Sequence, residues 1–114
     1  MLTARITARQ TADPAASRLC IFAVNDVIAI GVAAALRSEG LRIPRDASVA
    51  GFDDIETLRD FRPALSTVRL PLEEIGRLAA LGTAGNSTAD GGAGAVTGQV
   101  TLRRSTETPP QADA

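Results

Sequence analysis

Residues 49–55 read Val-Ala-Gly-Phe-Asp-Asp-Ile. A short apolar run ends on two consecutive acids, Asp53 and Asp54. Three readings compete for them: a catalytic pair, a ligand clamp, or the start of a helix. Residues 47–52 have the length and apolar character of a buried strand, which puts both carboxylates just past its C-terminal end. In open parallel sheets, ligands bind beyond the carboxyl ends of the strands.

The same pattern occurs upstream. Leu19-Cys20-Ile21-Phe22-Ala23-Val24 is a continuous apolar run, expected as a strand buried on both faces, and it stops at Asn25-Asp26. Cys20 is expected to be a small buried hydrophobe inside it. Between the two strands, residues 27–39 carry a helix whose apolar stripe is Ile28, Val32, Ala35 and Leu36. Asn25 or Asp26 caps its start. Gly40 supplies a left-handed stop, Leu41 packs back on the last turn, and Pro44 forbids continuation.

Downstream, residues 55–61 fit a helical turn stopped by Arg62-Pro63. Residues 65–70 read as a third strand, and Pro71 opens a helix with Leu72, Ile75, Leu78 and Ala79 on its apolar face. Gly82 is its expected end. Residues 82–98 hold six of the ten glycines, the composition of a flexible loop. Residues 99–103 suit a last short strand, and the remainder is a solvated tail. Four segments result: a helical lead-in (1–18), an α/β core (19–81), a Gly-rich loop (82–98), and a last strand with its tail (99–114). The order of elements predicts an α/β fold, with a mainly parallel sheet flanked by helices.

Composition narrows the function. The chain has 114 residues, 12 basic and 13 acidic, for a net charge of −1. No basic excess exists to neutralise a phosphate backbone. No apolar run is long enough to span a membrane, and no secretory h-region appears at the N-terminus. A lone cysteine makes no internal disulfide, in keeping with a reducing compartment. The expectation is a soluble cytoplasmic protein.

If the two strands are parallel neighbours, Asn25, Asp26, Asp53 and Asp54 share one rim. Carboxylates accept from hydroxyls, and an amide both donates and accepts, so such a rim suits a polyhydroxylated ligand. Asp26 and Asp54 have the alternative of capping helices. Asp53 is harder to explain that way, because Asp54 lies nearer the next turn. Catalysis is disfavoured. The chain has no histidine, the commonest general base and transition-metal ligand, and no phosphate-cradling or nucleophile-elbow motif. A Mg²⁺ site would have only Glu56 nearby as a further oxygen ligand. No catalytic residue, metal ligand or cofactor is assigned. Arg69 either reaches the rim or forms a salt bridge.

Taken in order, these pieces resemble the effector domain of LacI/GalR-type bacterial transcription regulators. The stretch from about Leu19 to Ala80 carries the likeness: a strand into Asn-Asp, a helix ending Gly-Leu-x-x-Pro, a strand into Gly-Phe-Asp-Asp, then Pro-x-Leu-x-Thr-Val-Arg-x-Pro. The closing residues 99–110 resemble that family's last strand and tail. The resemblance implies part of a periplasmic-binding-protein-like (type I) sensor domain, mostly its C-terminal lobe, with a sugar or similar small effector in a cleft. It implies effector contacts from Asn25 and Asp53, with Asp26 and Asp54 as caps or supports behind them. Thr67, Arg69 and Leu70 would lie on a strand crossing between lobes. Leu70 stands where a polar residue, often Gln, is usual, which removes a side-chain hydrogen bond from that position.

Members of that family are much longer. They bind DNA through a helix-turn-helix domain, which is not seen in these residues, and commonly form homodimers. A solute-binding protein of a transport system is the main alternative, and a small Asp-dependent hydrolase a weaker one. No membrane partner is expected.

Overall fold

A computed structural model of the chain describes residues 19–83 and 96–107. The expected lead-in (1–18), most of the Gly-rich loop and the end of the tail lie outside them. Strand β1 (Leu19–Phe22) runs parallel to β2 (Ala47–Ala50), with Leu19 opposite Ala47 and Phe22 opposite Ala50. Helix α1 (Asp26–Ser38) connects them. On the far edge of β2, parallel bridges join Ala50 to Ser66 and Asp53 to Arg69. These bring in β3 (Thr67–Arg69), which pairs antiparallel with β4 (Gln99–Thr101). A 3₁₀ turn (Glu56–Leu58) follows the acidic pair, helix α2 (Leu72–Thr83) follows β3, and a second 3₁₀ turn (Arg104–Thr106) closes the described chain.

The core is built from small and aliphatic side chains. Ala23, Ala29, Leu36, Leu41, Ala47, Val49 and Leu65 are buried, with Leu19, Ile21, Val32, Ile43 and Phe61 packed against them. Gly40 takes the expected left-handed conformation at φ 75°. Leu41 folds back, its amide donating to Leu36 O over 2.9 Å.

Two expectations about burial are corrected. β1 is not covered on both faces. Leu19 and Ile21 turn inward, while Cys20 is exposed and Phe22 is 64% exposed. A strand alternates faces, and no described residue buries the second face. The buried stripe of α1 is Ala29, Ala33 and Leu36, not Ile28 and Ala35, which lie exposed. Small residues face the sheet because they let the helix axis approach it closely. On α2, Leu72 is exposed and Ile75 and Leu78 are half-buried. The helix runs one residue beyond Gly82.

The closing turn is stitched in by hydroxyls. Ser105 is buried. Its Oγ donates to Val49 O (2.6 Å) and accepts from Ser66 N (2.8 Å). Ser66 Oγ accepts from Arg103 N at 2.8 Å and lies 2.6 Å from Thr106 Oγ1. Residues 103–106 thus lock onto β2 and β3, which fixes where Arg103 can reach.

Candidate functional site

The strand tips meet as parallel pairing requires. Ala23 N donates to Ala50 O (2.8 Å) and Asp26 N to Phe52 O (2.9 Å), so the ladder continues past β1 and β2 to the rim. Asn25-Asp26 and Asp53-Asp54 therefore sit side by side. Each of the four side chains does a different job there.

Asn25 is the N-cap of α1. Its backbone is extended (φ −154°), and Oδ1 accepts from Ile28 N at 2.9 Å. Such a cap is worth about 1 kcal/mol. The amide NH₂ has no partner among the described residues and remains a donor.

Asp26 is buried, 2% exposed. It caps nothing, since it lies inside the first turn. Oδ1 accepts from Thr67 Oγ1 (2.7 Å) and Oδ2 from Ile55 N (2.9 Å). Thr67 Oγ1 in turn accepts from Asp54 N at 3.2 Å. One carboxylate thus ties α1, β3 and the loop after β2 together. Gly51 makes room for it: a Cβ there would run into the Asp26 carboxylate and lie 3.1 Å from Leu65 Cδ2.

Asp53 and Asp54 part company. Both have positive φ, 103° and 53°, a rare state for residues with a side chain, costing about 1–3 kcal/mol each. The turn sends the two carboxylates to different partners. Asp54 Oδ2 accepts from Arg69 Nε (2.7 Å) and Oδ1 from Arg103 Nη1 (2.8 Å). The Asp54 side chain is only 11% exposed. The Arg103 hydrogen bond is the largest influence on its carboxyl and, with Arg69, holds it below the ordinary range against the opposing effect of burial. The capping role expected for Asp54 is corrected: the next turn is capped by Ile55 with no side-chain bond, because both oxygens of Asp54 are already claimed by arginines. Asp53 is half-buried. Its carboxylate has no hydrogen bond or ion pair among the described residues, although its amide donates to Val68 O at 3.0 Å.

Of the residues assigned to the crossing strand, Thr67 and Arg69 form β3 and Leu70 follows it. Thr67 and Arg69 brace the rim by the bonds above. Arg103 was missed by sequence reading. Its only sequence signal is its place beside Arg104 in the closing run. Glu56 pairs with Arg59 at 3.1 Å. Among the described residues no three His, Cys, Asp or Glu side chains gather to hold a metal, and no helix is long and apolar enough to cross a membrane. A depression of about 470 Å³ beside the closing turn, between Ala64 and Glu107, includes neither Asn25 nor Asp53. The Asn25 amide NH₂ and the Asp53 carboxylate, without partners among the described residues, are on the rim instead.

Comparison with known proteins places the fold. The periplasmic binding protein-like domain matches residues 2–106. The ribose operon repressor of Haemophilus influenzae is 48% identical over 59 residues, covering 52% of this chain and 18% of the repressor. The HTH-type transcriptional repressor PurR of Vibrio atlanticus is 39% identical over 75 residues, covering 66% and 22%. The chain thus spans about a fifth of the length of these curated relatives.

Among the solved structures similar over 90% of the chain are two with bound sugars. One is a LacI family transcriptional regulator from Enterococcus faecium with bound ribose (TM-score 0.65, 30% identity, 38% of that chain). The other is a LacI family transcriptional regulator from Arthrobacter sp. FB24 in complex with lactose (TM-score 0.64, 33% identity, 40% of that chain). These relatives are transcription regulators, not transport proteins.

Proposed function

The chain belongs to the periplasmic binding protein-like domain family, as part of the effector domain of a LacI/GalR-type regulator, and from that premise we propose that its rim binds a sugar. The observation that carries this reading is the pair of free polar groups on neighbouring strand tips. Asp53 offers a carboxylate with no partner among the described residues, and Asn25 offers an amide whose oxygen alone is used by its helix. A carboxylate accepts from two sugar hydroxyls, and an amide NH₂ donates to a third oxygen. Ribose is the first probe, because one relative is a ribose operon repressor and another structure contains bound ribose.

In the whole protein, sugar binding shifts the population between a DNA-binding state and a released one, by the difference in affinity of the two states for the sugar. DNA contact belongs to a helix-turn-helix unit of the kind for which the PurR relative is named. These residues, with a net charge of −1, do not supply it. The working protein is a cytoplasmic homodimer, and the rim binds its ligand without turning it over.

Saturation-transfer NMR on D-ribose tests the binding. Transfer to the sugar from the wild-type chain, reduced in Asp53→Asn, is the expected result. Equal transfer from both proteins would remove Asp53 from the site.

A further inference from the structure

We infer that Asp54 is a positioning group for the effector site: clamped between Arg69 and Arg103, it holds the Asp53–Asp54 backbone in the left-handed turn that presents the Asp53 carboxylate to the ligand. The inference deepens the sugar-site reading and rests on it for its ligand.

Two adjacent non-glycine residues at positive φ do not stay there unaided. Three amides in a row are tied down, two by β3 and one by the start of α1. Asp53 N donates to Val68 O (3.0 Å), Asp54 N to Thr67 Oγ1 (3.2 Å) and Ile55 N to Asp26 Oδ2 (2.9 Å). These bonds tether three nitrogens but do not by themselves set the φ angles of Asp53 and Asp54. They leave unspecified which of two neighbouring carboxylates turns inward and which outward. The arginines decide that. Once Asp54 is captured from both sides, Asp53 is left to face the rim.

The two arms differ. Arg69 is an exposed side chain, 57% accessible, and Arg103 is 30% accessible. Arg103 is also anchored itself: Nη1 donates to Leu65 O at 3.0 Å as well as to Asp54, and its backbone amide donates to Ser66 Oγ. It is a fixed post, whereas Arg69 is a partner that can swing into solvent. The closing segment, far along the chain from the acidic pair, thereby enters the effector site without touching the ligand. Nη1 alone serves both Leu65 O and a carboxylate oxygen, from a planar guanidinium whose donor directions are fixed.

The test uses isotope-labelled chain and two readouts. The first is the three-bond HN–Hα coupling of Asp53, which reports its φ without any ligand. The second is D-ribose titration. In Arg103→Met and Asp54→Asn, the Asp53 coupling departs from its wild-type value while amide shifts of α1 stay in place. If the competent turn falls to about a tenth of the population, the apparent ribose Kd rises about tenfold. Arg103→Lys recovers the charge but only part of the geometry, and so gives an intermediate coupling. Arg69→Met, at an exposed position, tests the weaker arm and keeps the inference decidable should the Arg103 variants unfold; it shifts the coupling less, in the same direction. An unchanged Asp53 coupling in every folded variant overturns the inference. A wild-type chain that does not respond to ribose would instead count against the sugar reading, and the coupling would still decide the role of Asp54.

Discussion

Thr67 donates to Asp26 through a 2.7 Å Oγ1–Oδ1 hydrogen bond that joins the start of α1 to β3 across 41 residues of sequence. Both residues are buried, and the Thr67 hydroxyl accepts from Asp54 N at the same time. Replacing Thr67 by Val keeps the shape and deletes both bonds. It leaves a carboxylate oxygen and an amide without partners, at a cost of about 1–3 kcal/mol. Urea unfolding of the variant is expected to show a lower midpoint with an unchanged slope.

Gly51 is required by contact rather than by its own dihedral angles. A methyl group there meets the Asp26 carboxylate and Leu65, and the backbone of α1 stands too near for a simple side-chain shift. Gly51→Ala is expected to lose about 1–3 kcal/mol or more, as overpacking does. The damage would extend to the rim, because Asp26 is what holds Ile55 N. Thermal unfolding measures the first effect, and the Ile55 amide shift the second.

The Asp54 clamp makes stability depend on acid. Its carboxyl is held below the ordinary range, first by the Arg103 hydrogen bond. The folded pKa therefore lies below the unfolded one. Such a group contributes stability that is fully present above the unfolded value, near about pH 4. That contribution fades as the pH falls further, through the lowered folded pKa. Measured by urea at several pH values, the stability difference between wild type and Asp54→Asn is expected to be constant from neutral pH to about 5. It shrinks below about 4. A difference that grew on acidification would contradict the assignment.

Asn25 serves a helix with its oxygen and is proposed to serve a ligand with its nitrogen, and two substitutions separate the tasks. Asn25→Ser keeps a capping oxygen and loses the amide. Asn25→Ala loses both. The alanine variant is expected to unfold about 1 kcal/mol more easily than the serine one, while ribose binding weakens equally in both.

The scaffold was legible where punctuation was strong. Gly40, Leu41 and Pro44 marked the end of α1, and apolar runs ending in Asn-Asp and Asp-Asp marked two parallel tips on one rim. The inward stripe of α1 was not legible, because Ile-Ala-Ile-Gly-Val-Ala-Ala-Ala-Leu is apolar almost all round. Size, not polarity, chose Ala29 and Ala33 for the sheet side. The exposure of Cys20 escaped for a similar reason: both faces of β1 are apolar, so alternation leaves no trace. At the site, strand ends alone put Asn25, Asp26, Asp53 and Asp54 on one rim and favoured Asp53, while Asn25 was added by the family resemblance. The contrast in partners between Asp53 and Asp54 could not be read there, because it is set by Arg69 and Arg103, whose contacts depend on tertiary register.

The central claim is that Asn25 and Asp53 together form the sugar-binding rim, and a ¹⁵N-detected titration of the chain with D-ribose tests it most directly. Asp53→Gly is the control, because glycine accepts a φ of 103° without strain, so lost binding would not reflect a damaged fold. The account predicts saturable shifts centred on the Asn25 side-chain amide and the Asp53 backbone amide in the wild type, absent from Asp53→Gly. Shifts centred elsewhere, or equal shifts in the glycine variant, would contradict it.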